Sequence, residues 1–283
     1  MENLQGIFQK LGLETTFEQM SPRDYEQFKV DGLNNTVGNR NEEDGYNCKL
    51  CKNKGYIIKL KDEPDGSFHT VWADCVCVET RNTIMRMRRS GLKNIIKDYT
   101  FEKYNATEPW QKTLKESAMQ YAEQAEGWFF LGGQSGAGKT HLCTAICREF
   151  LLAGRKVIYM LWRDDVVKIK GALKSDSEED YTKLIDKYKK AEVLYIDDLF
   201  KTGKNPDGVV QKPTGADVNV AFEIINYRSM DPNLLTIISS ECTEDDLLDI
   251  DEALGGRIIE KAKTISIAKD RARNYRLRKS VTL

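Results

Sequence analysis

The sequence predicts an α/β protein: a parallel sheet sandwiched by helices over residues 91–283, preceded by a small helical and metal-binding domain over residues 1–90. Three observations carry this expectation. After Gly91, short continuous apolar runs alternate with longer amphipathic stretches, the pattern of strands covered on both faces and joined by helical crossovers. A glycine-rich segment ending in Gly138-Lys139-Thr140 separates the first apolar run from the helix that follows, and two close cysteine pairs lie ahead of it.

Composition narrows the class. A chain of 283 residues, 40% hydrophobic and 31% charged, is long enough for one sizeable core plus a smaller module and is not biased towards disorder. A net charge of -1 gives no whole-chain attraction for polyanions, so contact with nucleic acid has to come from local clusters. No stretch approaches the roughly 18 apolar residues needed to span a bilayer, and Met1 to Gln5 lack a signal pattern. The expectation is a cytoplasmic protein with no membrane partner, in which seven cysteines do not read as a disulfide framework.

Leu4, Ile7, Phe8 and Leu11 recur at helical spacing, and Ser21-Pro22 is a helix start, a capping hydroxyl followed by proline in the first turn. Asn34 to Gly45 reads as a loop. Cys48-Lys49-Leu50-Cys51 and Cys75-Val76-Cys77 then flank a strand-like run, Gly55 to Ile58, and a turn, Pro64-Asp65-Gly66. Four thiolates on two knuckles can complete a closed tetrahedral Zn²⁺ site, which lets a module too small for its own core fold. The second knuckle is tighter than the usual C-x-x-C, so His69 is an alternative fourth ligand. Cys143, Cys147 and Cys242 sit in core-like contexts and read as buried and inert. Thr80 to Lys97 is a basic helical stretch, with the domain boundary placed near Gly91.

The second domain reads as a helix from Trp110 to Gln124, a strand from Trp128 to Leu131, a helix from Lys139 to Leu152 and a strand from Val157 to Met160. Helical material from Asp164 to Lys190, a strand from Val193 to Ile196, a helix from Ala216 to Tyr227 and a strand from Leu235 to Ile238 complete it. Lys201 to Gly215, rich in Gly, Pro and Lys, reads as an insertion beside the site.

Gly133-Gln134-Ser135-Gly136-Ala137-Gly138-Lys139-Thr140 fits G-x-x-x-x-G-K-[ST] in the required strand-to-helix context. Its glycines let backbone amides wrap a β-phosphate, Lys139 reaches the β- and γ-phosphate oxygens, and the Thr140 hydroxyl holds Mg²⁺. The run Val193 to Ile196 ends in Asp197, a second Mg²⁺ ligand, and Asp198, which would orient and deprotonate the attacking water. Ser239-Ser240-Glu241 falls at the carboxyl edge of the next strand, where ligands bind in open α/β sheets.

Gly136 to Leu142, Ile196 to Leu199 and Ala253 to Ile259 together resemble the DnaC/DnaI replicative helicase loaders. These are AAA+ P-loop ATPases related to the IstB transposition helpers, and the cysteine module is similar to that of phage and prophage loaders. The resemblance implies ATP as ligand for Gly133 to His141, with Phe101 near the base. It also implies a catalytic set of Asp198, Ser240 as first sensor, Arg276 as second sensor and Arg257 as a finger acting on a neighbouring copy. Two departures stand out: Glu241 occupies a position where the family has Asn, and Lys261 is an alternative finger position. A full carboxyl-terminal lid is missing, as in the loaders.

From the resemblance follow an ATP-assembled homo-oligomer, slow and partner-regulated hydrolysis, a replicative helicase gripped by residues 1–90, and single-stranded DNA as a second partner. Lys261, Lys263, Lys269, Arg271, Arg273, Arg276, Arg278 and Lys279, opposed only by Asp270, are the candidate DNA-backbone cluster. An IstB-like transposition helper and a nucleotide-gated adaptor with little turnover are the alternatives.

Overall fold

The computed structural model describes residues 20–173, 178–203 and 211–277. The stripe from Leu4 to Leu11, residues 204–210 of the expected insertion, and Arg278 and Lys279 of the basic cluster lie outside these residues. The chain packs as two compact units, Met1–Val78 and Glu79–Leu283, a division that falls ahead of Gly91.

In the first unit, helix α1 (Pro22–Asn35) starts where Ser21 accepts the Asp24 amide at 3.2 Å, with proline in the first turn. A short helix α2 (Arg40–Asp44) follows. The hairpin β1 (Tyr56–Asp62) and β2 (Phe68–Asp74) is antiparallel from Tyr56↔Asp74 to Asp62↔Phe68. The Asn34 amide satisfies its edge: it donates to the Ile58 carbonyl at 2.7 Å and accepts the Ile58 amide at 2.9 Å. The Lys54 ammonium donates to the carbonyls of Leu33 and Asn34 at 2.6 and 2.8 Å, closing the carboxyl end of α1 with a cation where the helix dipole favours one.

Helix α3 (Cys77–Arg89) carries the basic stretch, and from Glu79 onward it belongs to the second unit. Arg86 pairs with the buried Asp165 and donates to the Tyr188 hydroxyl at 2.9 Å, and the Thr83 hydroxyl donates to the Val157 carbonyl at 2.5 Å. Arg86 therefore serves packing as well as charge. A one-turn helix α4 (Ile95–Asp98) and a long helix α5 (Pro109–Gln124) lead into the sheet.

Among the described residues the main sheet has five parallel strands, in spatial order β4 (Val157–Leu161), β5 (Val193–Leu199), β6 (Leu235–Ser240), β3 (Trp128–Gly133) and β7 (Ala262–Ile267). Every residue of β3 and β6 is buried, which is why neither strand shows the apolar-in, polar-out alternation of a half-exposed strand. Helices α6 (Lys139–Leu152), α7 (Trp162–Leu173), α8 (Glu178–Lys189) and α9 (Gly215–Ser229) make the crossovers. Two further helices, α10 (Glu244–Ile250) and α11 (Glu252–Lys261), precede β7.

Strand β7 corrects the sequence reading, which took this stretch only as part of a basic cluster. It pairs with β3 from Trp128↔Ala262 to Gly133↔Ile267, yet as an edge strand it buries only Ile267. Half-exposed, it carries no continuous apolar run, so the signal that found the other strands was absent.

Arg228 on α9 is fully buried and makes five hydrogen bonds. It reaches the carbonyls of Tyr188 and Lys189 at 3.1 Å, Ala191 at 2.7 Å and Leu235 at 2.6 Å, and the Thr236 hydroxyl at 2.9 Å. One guanidinium thus closes the end of α8 and ties it to the start of β6. Arg228→Met should strand these acceptors and lower stability by about 3 kcal/mol. Urea unfolding of the full chain checks this, and a midpoint equal to the unaltered protein's would contradict it.

Candidate nucleotide site

β3 ends at the phosphate loop, and three of its glycines adopt the left-handed backbone, Gly133 at φ 91, Gly136 at φ 72 and Gly138 at φ 88. At two of them space is as decisive as φ. A Cβ on Gly133 would stand 2.1 Å from the Ile267 carbonyl oxygen, and one on Gly136 2.0 Å from Asn274 Oδ1. The loop is thus pinned between β7 and the segment after it, with the Tyr275 amide donating to the Gly136 carbonyl at 2.9 Å. Helix α6 opens at Lys139, so its free amino-terminal amides face the loop, the arrangement that binds a phosphate anion.

The Lys139 ammonium is buried and donates to the carbonyls of Gly133 and Gln134 at 2.8 and 2.7 Å. Burial lowers its proton affinity, while the carboxylates of Glu241 and Asp198 oppose that loss. Asp197, at the end of β5, is only 4% exposed. Its Oδ1 accepts from the hydroxyls of Ser239 at 2.5 Å, Tyr195 at 2.8 Å and Thr140 at 3.2 Å, and its Oδ2 accepts from Tyr159 at 2.9 Å. Burial pushes this carboxyl up, the Ser239 hydroxyl pulls it down, and neighbouring Asp198 pushes it up again. A dry, hydroxyl-held carboxylate beside a threonine hydroxyl is a donor set of hard oxygens suited to Mg²⁺.

Asp198 has a left-handed backbone, φ 58, as does Phe200, φ 60. The pairing of β5 with β6 shifts by one residue between Ile196↔Ile238 and Leu199↔Ser240, a bulge that re-aims side chains at a strand end. The Asp198 amide donates to Ser239 Oγ at 3.1 Å, and its carboxylate accepts Lys201 Nζ at 2.9 Å. Lys201 also reaches Glu241 Oε1 at 3.2 Å, and that oxygen accepts the Ser135 hydroxyl at 2.8 Å.

A cleft of about 660 Å³ gathers these groups. Ser135 to His141, Asp197, Asp198, Lys201, Glu241 and Arg276 line it, so the loop and both acids expected from the sequence meet in one place, together with the expected Arg276. Arg273 and Tyr275 join them at the carboxyl-terminal rim. Gln134 stands behind the loop, its amide donating to the Ile267 carbonyl at 3.0 Å.

Other expected residues lie elsewhere. Ser240 is fully buried; its hydroxyl donates to the Leu199 carbonyl at 2.7 Å and accepts the Cys242 amide at 3.0 Å. Ser239 and Glu241 face the site instead, since the alternation of β6 puts them on the side opposite Ser240. Phe101 is packed inside at 6% exposure and does not line the cleft. Tyr99 and Tyr104 do, on either side of His141, with ring centroids 5.3 and 5.6 Å from its ring. His141 Nε2 lies 2.9 Å from the Thr100 carbonyl, and burial lowers its proton affinity, which leaves the imidazole neutral near pH 7. Arg257 stacks 4.9 Å from the Phe222 ring centroid and donates to the Ala253 carbonyl at 2.8 Å. Neither it nor Lys261 lines this chain's own cleft.

Sequence reasoning missed Tyr159, Tyr195, Lys201, Tyr99 and Tyr104, and within Ser239-Ser240-Glu241 it chose Ser240 where Ser239 bonds to Asp197. The tyrosines were legible only as apolar strand residues or as part of an aromatic segment, since nothing in spacing reveals a hydroxyl turned towards a carboxylate.

In the first unit the four sulfurs of Cys48, Cys51, Cys75 and Cys77 are buried and lie within 4.8 Å of one another. Cys48 Sγ is 3.8 Å from Cys75 Sγ, and Cys51 Sγ is 3.5 Å from Cys77 Sγ. A tetrahedron with Zn–S bonds of about 2.3 Å has edges of about 3.8 Å, so the donor set fits. Left-handed residues Lys52 and Asn53 turn the first knuckle, and the Gly55 amide donates to Cys51 Sγ at 3.2 Å. Burial works against ionisation here, yet the Gly55 amide and the neighbouring sulfurs hold the Cys51 thiol down at about 7. His69 is outside the cluster: its side chain is 52% exposed and Nδ1 lies 3.5 Å from Glu63. Cys143 and Cys147 are fully buried and Cys242 partly so, and burial pushes all three thiols up.

No helix among the described residues is long and apolar enough to cross a membrane. Residues 69–281 match the family of IstB-like ATP binding proteins. The phage-like element PBSX protein XkdC of Bacillus subtilis is 29% identical over 232 residues, 76% of this chain and 79% of that protein. The replicative helicase loader DnaC of Escherichia coli is 26% identical over 179 residues, 54% of this chain and 72% of that one. A crystal structure of the DnaC helicase loader superposes with a TM-score of 0.50 at 17% identity, covering 62% of this chain and 98% of that one. The chain thus belongs to the IstB-like ATP-binding family and is a P-loop ATPase with the AAA+ fold, of the DnaC-like phage type.

Proposed function

We propose that this ATPase loads a replicative DNA helicase: ATP orders an assembly of several copies that holds the helicase and single-stranded DNA, and hydrolysis releases it. The observation that supports this best is the pairing, in one chain of a DnaC-like family, of a complete phosphate cleft with a four-cysteine module that has no part in nucleotide chemistry. Such a module is suited to presenting a surface to a partner. We assign residues 1–90 to helicase contact, and the described basic residues between Lys261 and Arg276 to the DNA backbone.

In this reading the loop amides from Gly133 to Thr140 and the Lys139 ammonium take the triphosphate, and the base lies among Tyr99, Tyr104 and His141. Thr140 and Asp197 would hold Mg²⁺, which supplies charge neutralisation between the β- and γ-phosphates. Asp198, turned inward by the bulge, orients the attacking water and takes its proton. Arg276 approaches the phosphates from its own chain. Arg257, which does not line its own cleft, is offered to a neighbouring copy. The four cysteines would hold Zn²⁺ as a purely structural ion.

Size-exclusion chromatography of the full chain with a replicative helicase, with and without ATP, tests the partner. Co-migration is the expected result; no complex under either condition would favour the transposition helper that the family's IstB-like members suggest. Asp198→Asn should keep ATP binding and lose turnover by roughly a hundredfold or more, measured as phosphate release. Unchanged low turnover would instead support a nucleotide-gated adaptor. Cys51→Ser should abolish the one equivalent of zinc measured by elemental analysis of the purified chain and weaken helicase capture while leaving ATP affinity intact; full retention of the metal would rule out the four-sulfur site.

A further inference from the structure

The carboxylate of Glu241 is the oddity of this cleft. It projects from the carboxyl end of β6 into the same space as Asp197 and Asp198, so three acids converge where a triphosphate would bring several more negative charges. Like charges at close range oppose binding strongly when partly shielded from water. The Glu241 oxygen is fixed rather than free, since Oε1 accepts from Ser135 Oγ at 2.8 Å within the phosphate loop itself.

One cation of the cleft pairs with two of these acids. Lys201 follows β5 directly and is about two-thirds buried, its side chain 32% exposed. Its ammonium stands between two carboxylates, 2.9 Å from Asp198 Oδ2 and 3.2 Å from Glu241 Oε1. Of the other lysines lining the cleft, Lys139 is bound to loop carbonyls and Lys103 donates to Asp98 Oδ1 at 2.9 Å. Lys201 and Glu241 are three and one residues beyond the expected site positions Asp198 and Ser240, and they enter from two different strands.

We propose that Lys201 and Glu241 act as a compensated pair that admits the γ-phosphate: Lys201 neutralises Glu241 and aligns Asp198, so the site distinguishes a triphosphate from a diphosphate. Lys201 is a positioning residue, acting through Asp198, and Glu241 ties its position to the phosphate loop through Ser135. The pair explains how an acid is tolerated at a strand end that faces the phosphates. The proposal rests on the assignment of this cleft to ATP and of Asp198 to the attacking water.

The test is a double-mutant cycle on the full chain, with ATP and ADP affinities measured side by side by calorimetry. Lys201→Met leaves Glu241 uncompensated and should weaken ATP binding roughly tenfold while moving ADP affinity by less than about twofold. Glu241→Gln keeps the oxygen that accepts from Ser135 and should bind ATP at least as well as the unaltered chain. Combining the two should restore most of the ATP affinity, and Lys201→Arg should preserve it. Undiminished ADP binding reports that each variant is folded. Equal loss of ATP and ADP in Lys201→Met, no loss at all, or no recovery in the double variant would each overturn the proposal. If the unaltered chain bound neither nucleotide, the assignment of the cleft itself would fail instead.

Discussion

The carboxylate of Asp197, removed from water and held by four hydroxyls, is the constraint around which the rest of the nucleotide site is arranged. An ionised carboxylate in such a place is costly unless its lone pairs are met. Tyr159 on β4, Tyr195 on β5, Ser239 on β6 and Thr140 on α6 each supply a donor. Each of these elements is set by the parallel sheet, so the pairing β4-β5-β6 is as necessary to the chemistry as the phosphate loop. The hydroxyls also fix the direction in which the carboxylate presents its charge.

From that fixed point the chain diverges by one residue. The bulge after Ile196 ends the regular alternation of β5, so that Asp197 sits among buried hydroxyls at the cleft floor while Asp198, its neighbour, turns to Lys201. Two adjacent acids thereby take different environments, one dry and hydroxyl-bound, the other ion-paired and partly solvated. Different environments give like residues different tasks. The left-handed backbone of Asp198 and Phe200 is the local cost, about 1–2 kcal/mol each by the general rule for such residues, and the buried pairs around it offset that cost.

Much of this was legible in the sequence because it follows from backbone requirements. The spacing of Gly133, Gly138, Lys139 and Thr140 specifies a strand, a tight anion-binding turn and a helix start, and the apolar run before Asp197 specifies a buried strand ending at the same sheet edge. The cysteine pairs were legible for a similar reason, since four soft ligands on two turns admit few arrangements. What escaped depended on tertiary register. Ser239 and Ser240 are indistinguishable by pattern, and only the register of β6 against β5, Ile196↔Ile238, decides that Ser239 faces Asp197 while Ser240 bonds to the Leu199 carbonyl. Phe101 gave way to Tyr99 and Tyr104 because a short irregular segment carries no period from which to read which rings point inward. Strand β7 escaped because an edge strand buries one face, and its lysines read as charge rather than as strand.

The most direct measurement of the central claim is the dependence of ATP binding on Mg²⁺ in the full chain and in Asp197→Asn, followed by calorimetric titration. The substituted amide keeps one oxygen for the hydroxyls of Ser239, Tyr195 and Thr140, presents an N–H to Tyr159, and is a poorer ligand for a hard cation. The account predicts that Mg²⁺ tightens ATP binding in the unaltered chain and has little effect in Asp197→Asn. An equal gain from Mg²⁺ in both would show that the metal is held elsewhere.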